Sequence, residues 1–473
     1  MEQHPENNLN KPQDTAYHIA LASIFVISIV LRLGLSLVNH EANDDHVEVA
    51  VRIFNTGILP TKIDCWECFQ PKLFTFTLAG IYRIFGITNL SSQILSAQMV
   101  NLLAGIFILF ITWAFLNQLP FQNKAIKLLG FSLTALNPKL IAINSQATND
   151  TFIIFFSTLA LYYIFVHLKE KRAKPFFWAV LFTSLAIASK TNGWVTFLAI
   201  TVALLINIRV QASQRTGSIF FACVFIISVP VLTVINPLTQ YISNYKMYGS
   251  PILNNIETLP FPYFFEKTSF NRPGLLSIQD GLFTFKFSEL IRHPRIEKRT
   301  KPYPRHENSL WTQFYGQAHS ATFDNWPPSW RSSGEEGFLL RRVSYYLALI
   351  PTGILILGAA LESISLLWHL FKNGVTDQIL RISPIIIAFW GFVVFVMIYA
   401  VEYRDFSVMK IIFTYPAILA FPMFFISGTE NLFAGLKQPQ WLIPFLTIII
   451  APLLFAYIMD LSTLVIKLYQ FLV

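Results

Sequence analysis

Apolar residues gather along this chain in long runs, at about 19–38, 70–86, 94–117, 125–145, 151–168, 175–190, 193–208, 218–240, 343–370, 383–401, 408–427 and 442–467. Many approach the roughly 20 residues that a helix needs to cross a ~30 Å hydrocarbon core. The pattern predicts an all-α membrane protein. Twelve candidates cannot all span, however, and the polar positions between them decide which do.

Short loops rich in Lys and Arg remain on the cytoplasmic side of a membrane. Lys169, Lys171, Arg172 and Lys174 form the densest such loop. Lys124 and Lys127 lie two segments earlier, Arg209 and Arg215 two segments later, and Lys372 and Arg381 follow. With the N-terminus also inside, an even number of spans must precede residue 120, yet three candidates lie there. The run 70–86 is short, opens Gln70-Pro71-Lys72 and contains Arg83 and Gly86, so it is assigned as an interfacial helix on the outer surface. About eleven transmembrane helices remain, with the C-terminus outside. Two extracytoplasmic loops result, 39–93 and 241–342. The chain then divides into a membrane module over 1–240, the long loop 241–342 and C-terminal helices over 343–473.

Composition agrees with the runs. Of 473 residues, 54% are hydrophobic and 13% charged, against about a quarter charged in soluble chains. Mean hydropathy is +0.52. The net charge of +9 fits topology-setting loops and anionic lipid heads and calls for no nucleic acid. No cleavable signal peptide is expected, because the first eighteen residues are polar and the run behind them is long enough to remain as a span. Cys65 and Cys68 lie in the outer loop, where a disulfide is preferred to a zinc site. His40 and His46 complete no metal pattern.

Candidate chemistry concentrates on the outer side. After the first run the chain reads Asn43-Asp44-Asp45-His46-Val47-Glu48. Adjacent carboxylates repel, so one can act as a base near neutral pH. Asp45 followed by Glu48 also reads as a capping box, and from spacing alone the cap is favoured. Asp150 opens the run 151–168, where the helix dipole is sufficient reason for an acid. The topology nevertheless brings Asp44, Asp45 and Asp150 to one face. Lys72, Lys190 and the group Arg292, Arg295, Lys298, Arg299 and Arg305 share that face and suit a lipid-linked phosphate. Snorkelling is the alternative for such residues, and for Lys190 it explains the position equally well. Trp311, Trp326 and Trp330 could stack on sugars, although interfacial anchoring is commoner. Arg32, inside the first run, requires a partner such as an outer carboxylate or a lipid phosphate. Glu362 and Asp460 lie within apolar runs with no evident partner.

In order and spacing these pieces resemble the GT-C superfamily of integral-membrane glycosyltransferases, especially its bacterial protein-mannosyltransferase and aminoarabinose-transferase branches. The resemblance covers about the first two hundred residues. It comprises Asp44-Asp45, the helix 46–55 ending at Gly57, Gln70-Pro71-Lys72-Leu73, Asn137-Pro138, Asn149-Asp150 and Ser189-Lys190-Thr191, and returns weakly at Lys410 to Pro416. It implies an inverting transfer of a sugar from a polyprenyl-phosphate donor to a protein, lipid or glycan acceptor, at the extracytoplasmic face of a bacterial inner membrane. Asp44 would be the base, with Asp45 beside it and Asp150 organising the site. Lys72 and Lys190 would contact the lipid phosphate, and Arg32, His46 and Glu48 join them as substrate-binding candidates. Asp-Asp stands where the family commonly has Asp-Glu, and Pro71-Lys72 where it often has Pro-Pro. No cofactor is required by this scheme, although an acidic pair could hold a divalent metal. The rival reading is a transporter or flippase, which predicts charges near the membrane midplane and repeated helices.

Overall fold

A computed structural model describes residues 11–41, 45–121, 123–210, 215–253, 278–296, 309–323, 334–372, 376–403, 409–437 and 440–470. Asp44, Lys298, Arg299, Arg305, Trp326 and Trp330 lie outside the described residues. The first half of the chain forms α1 (Lys11–Val38), α2 (His46–Thr56), α3 (Leu73–Phe85), α4 (Leu90–Gln118), α5 (Lys124–Ala135), α6 (Pro138–Ile143), α7 (Asp150–Glu170), α8 (Ala173–Ser189), α9 (Gly193–Val210) and α10 (Arg215–Ile235). Short helices α11 (Tyr241–Tyr248), α12 (Ile278–Phe283), α13 (Phe287–Arg292) and α14 (Leu310–Ala318) follow. The chain continues with α15 (Phe338–Phe371), α16 (Asp377–Tyr403), α17 (Ala420–Gly435) and α18 (Leu442–Gln470).

The protein is an all-α integral membrane protein. Among the described residues, seven helices are long and apolar enough to cross a membrane: α1, α4, α7, α10, α15, α16 and α18. The 3-10 turn Ile411–Ala417 and α17 form one further span if joined, with a 78° bend between them. The expected count of about eleven is therefore not reached by length and composition. One reason lies in the run 125–145, where Pro138 supplies no backbone donor and the Asn137 side chain caps Leu140 N–H, so α5 stops and α6 begins. Another is that α8, with 17 residues, stops short of the usual crossing length.

Helix α3 has 13 residues, about 20 Å at 1.5 Å per residue, which fits a surface helix better than a span. Its Phe74, Leu78 and Tyr82 recur every fourth residue and pack with Val47 and Ala50 of α2, Ile94 and Ala97 of α4, and Phe152 of α7. This small core fastens α2 and α3 to the start of α7. The largest core instead joins both halves of the chain, from Leu109 and Phe165 to Phe392, Phe424 and Ile450. Within it, α15 and α17 approach backbone to backbone. A Cβ on Gly358 would lie 1.9 Å from the Phe424 carbonyl oxygen, and one on Gly428 would lie 2.2 Å from that of Ile354.

Part of the expected long loop lies inside the protein. Thr312, Gln313, Gln317, Ser320, Ala321, Thr322 and Phe323 are all buried. Gln317 donates to Met409 O (3.0 Å) and accepts from Ile411 N–H (3.1 Å). Asn137 donates to Ala318 O (2.9 Å), and Lys139 to Thr322 O (3.1 Å). Ala321 N–H reaches the Asp460 carboxylate (2.8 Å), which also lies 3.9 Å from Arg341. Asp460 thus has the partners that sequence did not reveal. Glu362 likewise accepts from Ser427 Oγ.

Candidate active site

The buried loop 144–149 leads the chain into α7. Asn101 of α4 donates to Gln146 O (2.6 Å) and Thr148 O (2.7 Å), while Asn39 donates to Ser145 O (3.1 Å). Arg32 supports the same loop, with Nε donating to Asn144 Oδ1 (3.1 Å) and Nη1 to Ala135 O (3.1 Å). It donates also to the carbonyl and hydroxyl of Ser28. The expected carboxylate or lipid-phosphate partner is thereby corrected: Arg32 is wholly enclosed and is held by amide, carbonyl and hydroxyl oxygens. It braces the loop that ends at Asp150.

Asp150 sits in the first turn of α7 and accepts a 2.6 Å bond from Lys190 Nζ, with side chains 6% and 17% exposed. Lys190 ends α8 in extended backbone and begins the tight turn into α9. The turn needs Gly193, where a Cβ would meet the Ala186 backbone at 2.6 Å. Asn149 braces the same pair, donating to Ser189 O (3.2 Å) and Gln70 Oε1 (2.6 Å). From the far half of the chain comes the segment Lys410–Phe413. Lys190 and Lys410 both lie over the Phe413 ring, at 5.2 and 6.0 Å from its centroid, a favourable placement for an ammonium.

Helix α2 and the turn before α3 form the opposite wall. His46 is buried and meets Phe74 edge to face, and Phe74 meets Phe152 of α7. Burial, and then the positive fields of Lys190, Lys72 and Lys410, hold the His46 imidazole well below its ordinary range. His46 is therefore neutral at pH 7, and three lysines from three distant stretches act on it together. Lys72 is 1% exposed. Its ammonium donates to the Cys68 carbonyl and to Gln70 O (2.7 Å), directed at the turn rather than at an open cleft. Burial lowers its pKa to about 7, opposed by the nearby Glu67 and Asp64 carboxylates. The preferred Cys65–Cys68 disulfide is present.

The capping-box expectation does not hold. Asp45 adopts a left-handed backbone (φ 57°) and its side chain caps nothing. Glu48 turns instead to Arg52, one helical turn on, at 2.7 Å. Asp45 keeps an open outer surface. Partial desolvation, and then the Glu48 charge, push its carboxyl above the ordinary range. Trp311 donates its indole N–H to Leu282 O and packs on Phe314, which makes it an anchor. Arg292 and Arg295 pair with Glu289 (3.6 Å) and Glu335 (3.2 Å). Among the described residues, no three His, Cys, Asp or Glu side chains assemble as a metal site.

The structure thus brings His46, Asp150 and Lys190 together with Lys72 behind its turn. It adds Gln70, Asn149, Lys410 and Phe413, all of which lie within motifs quoted above but were given no role there. A buried ion pair with a second ammonium over the same Phe413 ring can bind a phosphate and stabilise charge developing on it.

Residues 70–234 match the family of dolichyl-phosphate-mannose-protein mannosyltransferases. No curated protein matches the chain. Among solved structures, the apo oligosaccharyltransferase of Archaeoglobus fulgidus is similar at a TM-score of 0.50 and 11% identity, covering 94% of this chain and 56% of that one. The oligosaccharyltransferase AglB of the same organism, in complex with an inhibitory peptide and a dolichol-phosphate, gives 0.46 and 12%, with 93% and 56% covered. ArnT of Cupriavidus metallidurans, bound to undecaprenyl phosphate, gives 0.36 and 14%, with 88% and 78% covered. The chain spans little more than half the length of the archaeal enzyme. The matched stretch carries Lys72, Asp150 and Lys190 and is similar to that family, within an all-helical membrane fold.

Proposed function

We propose that the protein transfers a sugar from a polyprenyl-phosphate donor to an acceptor hydroxyl at the extracytoplasmic face of a bacterial inner membrane. The observation that carries this reading is the buried Asp150–Lys190 pair, with Lys190 and Lys410 over the same Phe413 ring. The family match supports the donor class, because its description names a dolichyl-phosphate sugar. The orientation rests on the basic loops at the other end of the bundle.

In the proposed reaction Asp44 takes the proton of the acceptor hydroxyl. The acceptor oxygen forms a bond to the anomeric carbon as the bond from that carbon to the phosphate oxygen breaks. The polyprenyl phosphate leaves with the bonding electron pair, its charge balanced by Lys190 and Lys410. Attack opposite the leaving group inverts the anomeric centre. Neutral His46 donates or accepts a hydrogen bond at the sugar without adding charge. Asp150 holds Lys190 in place, and Asp45 keeps a second carboxyl beside the base. No step is assigned to a metal.

Purified protein in liposomes, supplied with polyprenyl-phosphate mannose and a panel of peptide, lipid and glycan acceptors, tests the reading. It expects release of polyprenyl phosphate that depends on acceptor. Solute or lipid flux without release, across donors of several sugars, would overturn it in favour of transport.

A further inference from the structure

Lys72 is held by a part of the chain that has no place in the reaction just described. Cys65 and Cys68 are joined by a disulfide across the short turn Trp66–Phe69. Both cysteines are buried against Val49 and Ile53 of α2 and Ala79 of α3, so the closed turn is wedged between two helices. Lys72 Nζ takes the carbonyl oxygens of Cys68 and Gln70 as acceptors, and its backbone N–H donates to Leu238 O (2.6 Å).

The same turn reaches the other wall of the site. Gln70 donates its amide N–H to the Glu67 carboxylate and accepts from Asn149 Nδ2 at 2.6 Å. A carboxylate can only accept, so this network leaves one orientation for the Gln70 amide. Asn149 donates also to Ser189 O. The bonds thus run from Glu67 through Gln70 and Asn149 to the residue before Lys190, flanking the Asp150–Lys190 pair on the way. We propose that the disulfide-closed turn, through Cys68, Glu67 and Gln70, is the positioning element of the donor-phosphate site, fixing Lys72 against the Asp150–Lys190 wall. The inference rests on the reading of that site as phosphate-binding.

Elementary electrostatics says how the turn would act. A buried ammonium needs acceptors and a nearby negative charge to stay protonated. Glu67 and Asp64 face Lys72 from the turn and favour its charge, whereas His46, Lys190 and Lys410 lie on the site side. Glu67 is the larger of the two acidic influences. Glu67→Gln therefore removes the main support for the charged form while preserving a partner for Gln70. Opening the disulfide frees the Cys68 carbonyl to leave Lys72.

The test measures binding of undecaprenyl phosphate by the detergent-purified full-length chain and donor KM in liposomes, from pH 6 to pH 9. Glu67→Gln is expected to raise donor KM at pH 7.5 on the order of tenfold, the effect of one pK unit, with kcat changed less. The defect should fade toward pH 6, and Lys72→Arg combined with it should remove the pH dependence. Reduction of the folded wild-type protein by a phosphine, and the Cys65→Ser/Cys68→Ser variant, should weaken binding most below about pH 7, where Lys72 carries its charge. Thermal unfolding separates that loss from misfolding, and Glu67→Gln, which leaves the disulfide intact, is the second route. Equal binding by wild type, Glu67→Gln and reduced protein across the range would overturn the inference alone. A wild-type protein that binds no undecaprenyl phosphate and releases none in liposomes would overturn the reading beneath it.

Discussion

At one end of the α7–α8 hairpin Asp150 and Lys190 form an ion pair with side chains 6% and 17% exposed. At the other end Lys171, Arg172 and Lys174 lie exposed around a tight turn, with Lys169 half-buried beside them. There Lys169 donates to Gln118 (3.2 Å), and Arg172 lies 3.4 Å from a partly exposed Glu170. The same two helices therefore carry few, desolvated charges at one end and many, hydrated charges at the other. Desolvated charges are strongly coupled to their partners, and removing one leaves the other stranded. Hydrated charges act as a sum, through their attraction to lipid heads and their resistance to translocation. The first arrangement suits chemistry on a single anion. The second suits setting the direction of insertion.

The largest effect expected is on a residue outside the described part of the chain. Asp44→Asn should lower sugar transfer by roughly a hundredfold to ten-thousandfold, the usual contribution of a general base, with membrane insertion intact. Normal turnover by that variant would remove Asp44 from the reaction.

Lys190→Met should come next. It strands the Asp150 carboxylate and should cost about 3 kcal/mol or more of stability, read by thermal unfolding in detergent. Adding Asp150→Asn should recover much of that stability without recovering transfer. If the double variant also transfers sugar at the wild-type rate, the pair is only a brace.

Donor binding should show a smaller pH effect. Lys72 loses its proton as pH rises through about 7, so its contribution is present below that value and lost above it. Donor KM should climb between about pH 6 and pH 8, by up to roughly tenfold, as one nearby positive charge is lost. A flat profile would separate Lys72 from the phosphate.

The hydrated end should respond least to single changes. Lys171→Gln or Lys174→Gln should shift stability by less than about 0.5 kcal/mol and leave transfer unchanged. Neutralising Lys169, Lys171, Arg172 and Lys174 together should instead scramble orientation. Cysteines placed within 87–93 should label from outside in the wild type and from both sides in that variant. Labelling from the cytoplasm alone in the wild type would reverse the assignment of α3.

Charge parity along the sequence was enough to bring Asp150 and Lys190 to the same side, because basic loops and apolar lengths are local signals. Their direct bond, across 40 positions, required packing that no local pattern encodes. The Asn137-Pro138 break was written in the chain, but uniform hydropathy on both sides concealed it. Asp45 and Glu48 had the spacing of a capping box, and the competing Glu48–Arg52 pair displaced it. Gln70 opened a quoted motif, but its bonds were not legible, since its partners Glu67 and Asn149 lie on different elements. The segment 309–323 falls in the expected loop 241–342 because no long apolar run crosses it, and Gln313, Gln317, Ser320 and Thr322 are polar. The protein buries them by supplying partners from residues far away in the chain.

That burial sets an order of events during synthesis. Ala321 meets its carboxylate partner only after Asp460 has been made, 139 residues later, a delay of roughly 7 to 28 s at ordinary translation rates. Throughout that interval the segment must wait beside an unfinished bundle with its polar groups still hydrated. A nascent chain halted before Met409 would lack the far-side partners of Gln317. The ribosome's progress, and not the first half of the protein, decides when the interior closes.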